Sequence, residues 1–267
     1  MDFEKIGSQT IDLVRKTGDY IRKEREKFKR ESVITKGLHN FVTHVDKAAE
    51  ERLVSGLEKI LPGSGFIAEE GTSTKKGEQY NWVIDPLDGT TNFIHNLPPF
   101  AISVALMEHN EIVLGVVLEI RLDECFYAWK GSHAYLNGEI IKVSNATAIK
   151  DSLIATGFPY TDFERIGPFL QTLTSFMKTS HGVRRLGSAA TDLAYVACGR
   201  FEAFYEYGLH PWDVAAGVCI LRQAGGKVTD FFGRDDFLYE GEIVASNNLV
   251  HDEFLNEIKP FTKNKQK

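Results

Sequence analysis

The sequence predicts a mixed fold, with an N-terminal α+β half (about residues 1–147) packed closely on a C-terminal α/β half (about residues 148–262) in one domain. Three observations point there. Apolar side chains recur at helical intervals near the N-terminus, the middle of the chain alternates strands with tight turns, and after about Ala146 strands alternate with helices. No internal repeat or low-complexity linker separates the halves.

Phe3, Ile6, Ile11, Leu13, Val14 and Ile21 lie between charged residues, which predicts a long amphipathic helix from Phe3 to Phe28. Its basic end, Arg22 to Arg30, is balanced by Glu24, Glu26 and Glu31 and reads as a solvated face. A second helix runs from Val45 to Leu61 and stops at Pro62-Gly63. Short strands at Gly65 to Ala68 and Tyr80 to Ile84 deliver acids at their ends. An antiparallel meander follows: Ala101 to Met107, a His109-Asn110 turn, Ile112 to Ile120, Cys125 to Trp129, and the Asn137-Gly138 hairpin signal before Ile140-Ile141. Beyond it come a strand at Leu153 to Ala155, a helix from Phe163 to Met177, a helix from Ser188 to Cys198 and a strand from Phe201 to Tyr205. A helix from Pro211 to Ala224, a strand at Ile243 to Ala245 and a helix from Leu249 to Ile258 complete the second half, and residues 263–267 form a frayed tail.

With 267 residues, 43% of them hydrophobic, the chain has the material for a large core. A net charge of −6 speaks against direct nucleic-acid binding, so any anionic substrate must be held by local cations. Cys125, Cys198 and Cys219 show no CxxC or Cys/His spacing and are expected as plain thiols. His95, His109, His133, His181, His210 and His251 lack paired ligand spacing and are expected in structural or solvated roles. Without an apolar leader segment or a run long enough to span a membrane, the expected location is cytoplasmic.

The chemistry concentrates in Asp85-Pro86-Leu87-Asp88-Gly89-Thr90-Thr91, entered from Trp82-Val83-Ile84. Two acids share one turn past a buried strand, Pro86 biases Asp85 toward extended backbone, and Gly89 clears space for amides to approach an anion. Glu69 and Glu70 end the preceding strand, and Asp213 opens a helix in Pro211-Trp212-Asp213. If these five acids converge, each uncompensated pair at about 4 Å costs roughly 4 kcal/mol at an effective dielectric near 20. Either protons or hard cations must then sit among them, and oxygen-only donors favour Mg²⁺.

Trp82 to Phe93, together with Trp212-Asp213-Val214-Ala215-Ala216-Gly217 and then Ala224-Gly225-Gly226, resembles the paired signatures of the inositol monophosphatase family of metal-dependent sugar phosphatases. The resemblance runs over nearly the whole chain and is greatest to the bacterial branch, with Gly187-Ser188-Ala189-Ala190 in the expected order. It implies a layered α-β-α-β-α sandwich, a site between the halves, a homodimer and sensitivity to lithium.

The resemblance also implies roles. Glu69, Asp85 and the Leu87 carbonyl would hold one Mg²⁺, and Asp85, Asp88 and Asp213 a second; a third would share Glu69, with Glu70 close by. The backbone of Leu87, Asp88, Gly89 and Thr90 would bind phosphate, with Asp88 and Asp213 also bordering the substrate. A metal-activated water would attack in line, prepared by Thr90 with Asp46 or by Glu70; both assignments stand open. Asp46 alone reads as a helix cap after Thr43, and only the resemblance raises it to a catalytic role. Lys36 belongs to a loop resembling the family's lysine loop, where Asn40 replaces the usual Asp. Glu206 would accept hydroxyls of the leaving alcohol, Gly187, Ser188 and Ala189 would wall its pocket, and of Arg184 and Arg185 the first is favoured to face substrate or a subunit contact.

The expected activity is therefore Mg²⁺-dependent hydrolysis of myo-inositol monophosphate. The same chemistry on fructose 1,6-bisphosphate, a 3′-phosphoadenosine nucleotide, histidinol phosphate or NADP is the alternative, and a binding role in transcription or ribosomal RNA maturation is an alternative of another class. A haloacid-dehalogenase reading of Asp85 to Thr90 fails on spacing, because its second Asp belongs two residues after the nucleophile and Leu87 stands there.

Overall fold

The computed structural model describes residues 1–28, 34–37, 40–159 and 162–262, with side chains left out at 34–37, 40–42 and 261–262; the expected frayed tail, 263–267, lies outside the described residues. Helix α1 (Phe3–Lys27) starts where Asp2 accepts the Lys5 N–H at 3.0 Å. Its face of Ile6, Val14 and Ile21 is buried, each side chain contributing roughly 1.5–3 kcal/mol by leaving water. A short hairpin, β1 (Ile34–Gly37) and β2 (Asn40–Val42), stands where the sequence suggested a loop. Helix α2 (His44–Ile60) begins one residue before the expected start, because Thr43 and Asp46 make a capping box.

Next come β3 (Gly65–Ala68), β4 (Tyr80–Asp88), the short α3 (Thr90–His95), β5 (Ala101–Glu108), β6 (Glu111–Glu119), β7 (Glu124–Trp129), β8 (Ala134–Leu136) and β9 (Glu139–Ile141). Among the described residues they form a seven-stranded sheet in sequential order, antiparallel apart from the parallel β3 and β4. Asn137 and Gly138 take positive φ at the expected hairpin.

The second half continues with β10 (Leu153–Thr156), α4 (Ile166–Thr179), β11 (Gly182–Arg184), α5 (Ala189–Ala197), β12 (Ala203–Tyr207), α6 (Pro211–Gln223), β13 (Lys227–Thr229), α7 (Phe237–Glu240), β14 (Glu242–Ser246), α8 (His251–Glu257) and α9 (Lys259–Thr262). Its strands form a mixed sheet ordered β11-β10-β12-β14-β13. Helix α4 starts three residues late, since the Asp162 carboxylate holds the Glu164 amide and the Arg165 guanidinium in a turn. Strand β12 is displaced by two residues, because Arg200 and Phe201 close the end of α5 on the Tyr195 carbonyl. That shift puts Glu206 on the strand.

The layers run α-β-α-β-α, as the resemblance implied. Helices α1 and α2 cover the outer face of the large sheet through Val14, Ile21, Leu53 and Leu57. Helices α5 and α6 lie between the sheets, where Leu193, Val214 and Val218 meet Val83, Val117 and Phe126 on one side and Ala155, Phe204 and Ala245 on the other. Helices α4 and α8 close the far face through Phe169, Phe176 and Phe254. The inner layer is thin because its contacts are small: a side chain at Gly115 of β6 would run into the Ala216 carbonyl.

Candidate active site

Strand ends and helix starts meet at one edge of the inner layer. Parallel pairing sets Ala68 beside Ile84, so Glu69 and Asp85 leave the same end of the sheet, and the Glu69 amide donates to the Ile84 carbonyl at 3.2 Å. Asp85 is in register with Ser103 of β5, whose hydroxyl donates to the Trp212 carbonyl at 3.1 Å. That bond brings the first turn of α6, with Asp213, to Asp85. A register slip between Asp85 and Asp88 turns the second acid toward α5, where its Oδ2 accepts from the Ser188 hydroxyl at 2.7 Å and the Ala190 amide at 2.8 Å. The other acids are aimed similarly: Asp85 Oδ1 accepts from the Leu87 amide at 2.9 Å, and Asp213 Oδ2 from the His210 amide at 2.7 Å.

The charges of Glu69, Asp85, Asp88 and Asp213 act on one another. Burial raises the Asp85 carboxyl well above the usual range, and Glu69, Asp88 and Asp213 raise it further. Asp213 is raised by burial and then by Asp88. Asp88 is pushed up to about 6 by burial, against the lowering effect of Ser188, Ala190 and Arg185.

Glu70 takes a different side. Its amide donates to Glu50 Oε2 at 2.7 Å, while Glu50 Oε1 accepts the Thr72 amide and hydroxyl at 2.8 Å, so a fully buried glutamate one turn beyond Asp46 in α2 pins the acidic turn. The Glu70 charge acts on Asp46, which burial raises to about 6. The helix-cap reading of Asp46 is met, since its Oδ2 accepts from the Thr43 amide (2.9 Å) and hydroxyl (2.5 Å), and its Oδ1 accepts from the Thr90 hydroxyl at 3.2 Å. The same Thr90 hydroxyl is 3.0 Å from the Leu87 carbonyl.

Gly89 has φ of 89° before α3, and a side chain there would meet the Pro99 and Gly187 carbonyls at 3.0 and 3.1 Å. The Gly187-Ser188-Ala189 wall therefore stands directly beside the Asp85 to Thr90 loop. Glu206 is buried on the other side, its carboxyl seated where a Gly157 side chain would be, and burial raises it to about 8. Arg184 is not brought to this site within the chain: it is exposed and its guanidinium donates to the Val183 carbonyl at 3.0 Å. Of the two arginines it is Arg185 whose charge reaches these acids, lowering Asp88, Asp192 and Glu206 alike. Lys36 lies on β1, and its side chain is outside the described residues.

Four contributors escaped the sequence reading: Glu50, Ser103, Asn92 and Asp192. Asn92 donates to the Pro99 and Leu186 carbonyls at 2.7 and 2.8 Å and so ties α3 to the segment just before Gly187. Glu50 carried a detectable signal, an acid four residues after Asp46 on the apolar face that holds Ala49 and Leu53. The others act through space and leave no local pattern.

A hard divalent cation fits these donors by their chemistry: carboxylates and one backbone carbonyl, buried together and raising one another's pKa. Among the described residues no three His, Cys, Asp or Glu side chains already form a metal-holding group; Asp85, Asp88 and Asp213 are engaged by Leu87, by Ser188 and Ala190, and by His210. His95, His109, His133, His181 and His210 are exposed.

The model of the inositol monophosphatase family matches residues 2–262. The chain belongs to the inositol monophosphatase family. It is 41% identical over 255 residues to a Nus factor SuhB of Pseudomonas aeruginosa, covering 94% of each chain. It is 40% identical over 222 residues to a fructose-1,6-bisphosphatase/inositol-1-monophosphatase of Thermotoga maritima, covering 83% of this chain and 84% of the other. The crystal structure of the extragenic suppressor protein SuhB from Bartonella henselae superposes with a TM-score of 0.89 at 36% identity, over 94% of this chain and 97% of that one. Family membership supports phosphatase hydrolase chemistry in this chain, in a family that depends on metal, typically Mg²⁺. No helix of the described residues is long and apolar enough to cross a membrane.

Proposed function

We propose that this member of the inositol monophosphatase family hydrolyses a small phosphate monoester with Mg²⁺, myo-inositol monophosphate first among its substrates, in the cytoplasm and as a homodimer. The observation that carries the reading is the meeting of Glu69, Asp85, Asp88 and Asp213 beside the Asp46–Thr90 pair.

Glu69, Asp85 and the Leu87 carbonyl would hold one ion and Asp85, Asp88 and Asp213 another. When bound, Mg²⁺ supplies the positive charge that neutralises phosphoryl oxygens and sharpens the acidity of water. The chain's own residues do the rest. The amides of Gly89 and Thr90 open a short helix and orient the phosphate. Thr90 Oγ1 positions the attacking water and passes its proton toward Asp46 Oδ1, 3.2 Å away. An Asp46 raised to about 6 is ionised at neutral pH yet basic enough to take that proton. Glu70 assists by its charge on Asp46. Glu206 and the Gly187 to Ala189 wall receive the departing alcohol.

Initial rates of phosphate release over a panel of esters, with Mg²⁺ and with EDTA, test this directly. Turnover that is strictly Mg²⁺-dependent and fastest on inositol monophosphate is expected, with lithium inhibiting. Equal rates in EDTA would overturn it. The relative named Nus factor SuhB favours a second reading, a protein-binding role in transcription or ribosomal RNA maturation that would coexist with hydrolysis. Co-purification of transcription proteins with a catalytically dead D88N variant checks that role separately.

A further inference from the structure

The leaving-alcohol side holds a buried acid without a role so far. Asp192 follows Ser188 by one helical turn in α5, its amide on the Ser188 carbonyl at 2.9 Å, and so shares a helix face with the residue that grips Asp88. Its side chain is 1% exposed, and its Oδ1 has no hydrogen-bond partner among the described residues. A buried carboxyl oxygen left unpaired costs stability, so its retention asks for a reason. Glu206 of β12 is the first charge it feels; Asp88 of β4 and Arg185, after β11, follow. Burial raises both carboxyls, Glu206 to about 8.

The charge of one guanidinium thus acts on two buried carboxyls beside the proposed alcohol subsite. Were Asp192 absent, Arg185 would face one acid fewer and offer a more positive, donor-rich surface, the chemistry that recognises phosphate. With Asp192 present two acids stand against the one guanidinium, and the group keeps acceptors for hydroxyls.

Building on the phosphatase reading, we propose that Asp192 is a positioning residue for the alcohol subsite. Acting through Glu206, it makes the site select an uncharged polyhydroxy leaving alcohol over one that carries a second phosphate.

The test compares kcat/KM for inositol monophosphate and for fructose 1,6-bisphosphate, with Mg²⁺, in the wild type, D192N, E206Q and the double variant. The ratio of the two is insensitive to any fraction of misfolded enzyme. D192N is expected to move the ratio toward the bisphosphate on the order of tenfold, chiefly through KM. E206Q should move it similarly, and the double variant no further than the larger single change, because the two residues act as one unit. A D192N ratio equal to that of the wild type, with both esters slowed alike, overturns the proposal by leaving Asp192 a packing role only. So does a double variant whose change is the product of the single ones. A wild type that hydrolyses neither ester with Mg²⁺ removes the phosphatase reading itself, a result separate from any change in ratio, and the proposal falls with it.

Discussion

Asp88→Asn separates charge from shape at the centre of the acid cluster. Asparagine still offers an oxygen to the Ser188 hydroxyl and the Ala190 amide, now at 2.7 and 2.8 Å from Asp88 Oδ2, but it removes one carboxylate. Burial raises that carboxyl from 3.8 to about 6, and a rise of about two pH units corresponds to about 3 kcal/mol. A group with a raised native pKa contributes stability below its unfolded pKa and loses it as pH climbs through the native value, so at pH 8 without cation the whole penalty is present. Asp88 keeps some solvent contact, which screens part of it and leaves about 1–3 kcal/mol. In EDTA at pH 8 the variant should therefore melt above the wild type, by about 2–4 °C for each kcal/mol, and the gap should close near pH 4. Magnesium should reverse the order by raising the wild-type Tm alone, and phosphate release by the variant should be abolished. Thermal melts at both pH values, with and without Mg²⁺, plus a phosphate assay, read all of this. A variant that melts below the wild type in EDTA at pH 8, or turns over at the wild-type rate, refutes the reasoning.

Three further outcomes follow from the same geometry. Asp46→Asn or Thr90→Ala should lower kcat about 10²–10⁴-fold while Mg²⁺ affinity by calorimetry stays near wild type, and the wild-type kcat should fall below about pH 6 as Asp46 gains a proton; retained kcat in both variants would move the proton-accepting role to Glu70. Glu50→Ala frees the Glu69 to Thr72 turn and should weaken Mg²⁺ binding about 10–100-fold with kcat at saturating Mg²⁺ changed less, which a Mg²⁺ titration of activity would show. His251 is buried between the Ser246 hydroxyl at Nδ1 (2.9 Å) and the Thr229 hydroxyl at Nε2 (3.1 Å), and burial depresses it from 6.5 to about 4. Its neutral form supports the fold above pH 6.5, and about 3 kcal/mol should be lost as pH falls from there through 4; urea melts of the wild type and His251→Gln should show a smaller acid loss in the variant.

The site was legible in the sequence wherever chemistry and element boundary coincide. Asp85, Asp88 and Asp213 each follow an apolar run or a Trp at a turn, and strand pairing then needs only to align Ala68 with Ile84 to place Glu69 among them. Elements with full periodicity, such as α1, α2 and the β5 to β7 meander, appear within about two residues of their expected bounds. The misses have physical causes. Strands β11 and β13 are three residues each, too short for an alternating pattern to register, and they exist because β10 and β14 offer them an edge. Arg184 and Arg185 are adjacent and chemically alike, and only the path of β11 into Gly187 sends one outward and the other to the acids. Asp192 sits in an apolar helix, where its burial against a distant Glu206 has no local signature.

The shared helical layer has a consequence for how this protein matures. Asp88 leaves the large sheet, its hydrogen-bonding partners belong to the start of α5, and Asp213 arrives on α6 through Ser103. A nascent chain that ends before Trp212 lacks one carboxylate of the proposed ligand set and the carbonyl that Ser103 holds, whatever else it has assembled. On the proposed ligand set, cation uptake would be a late event, and a divalent-ion probe added during synthesis or refolding would report the moment at which both sheets have closed on the helices between them.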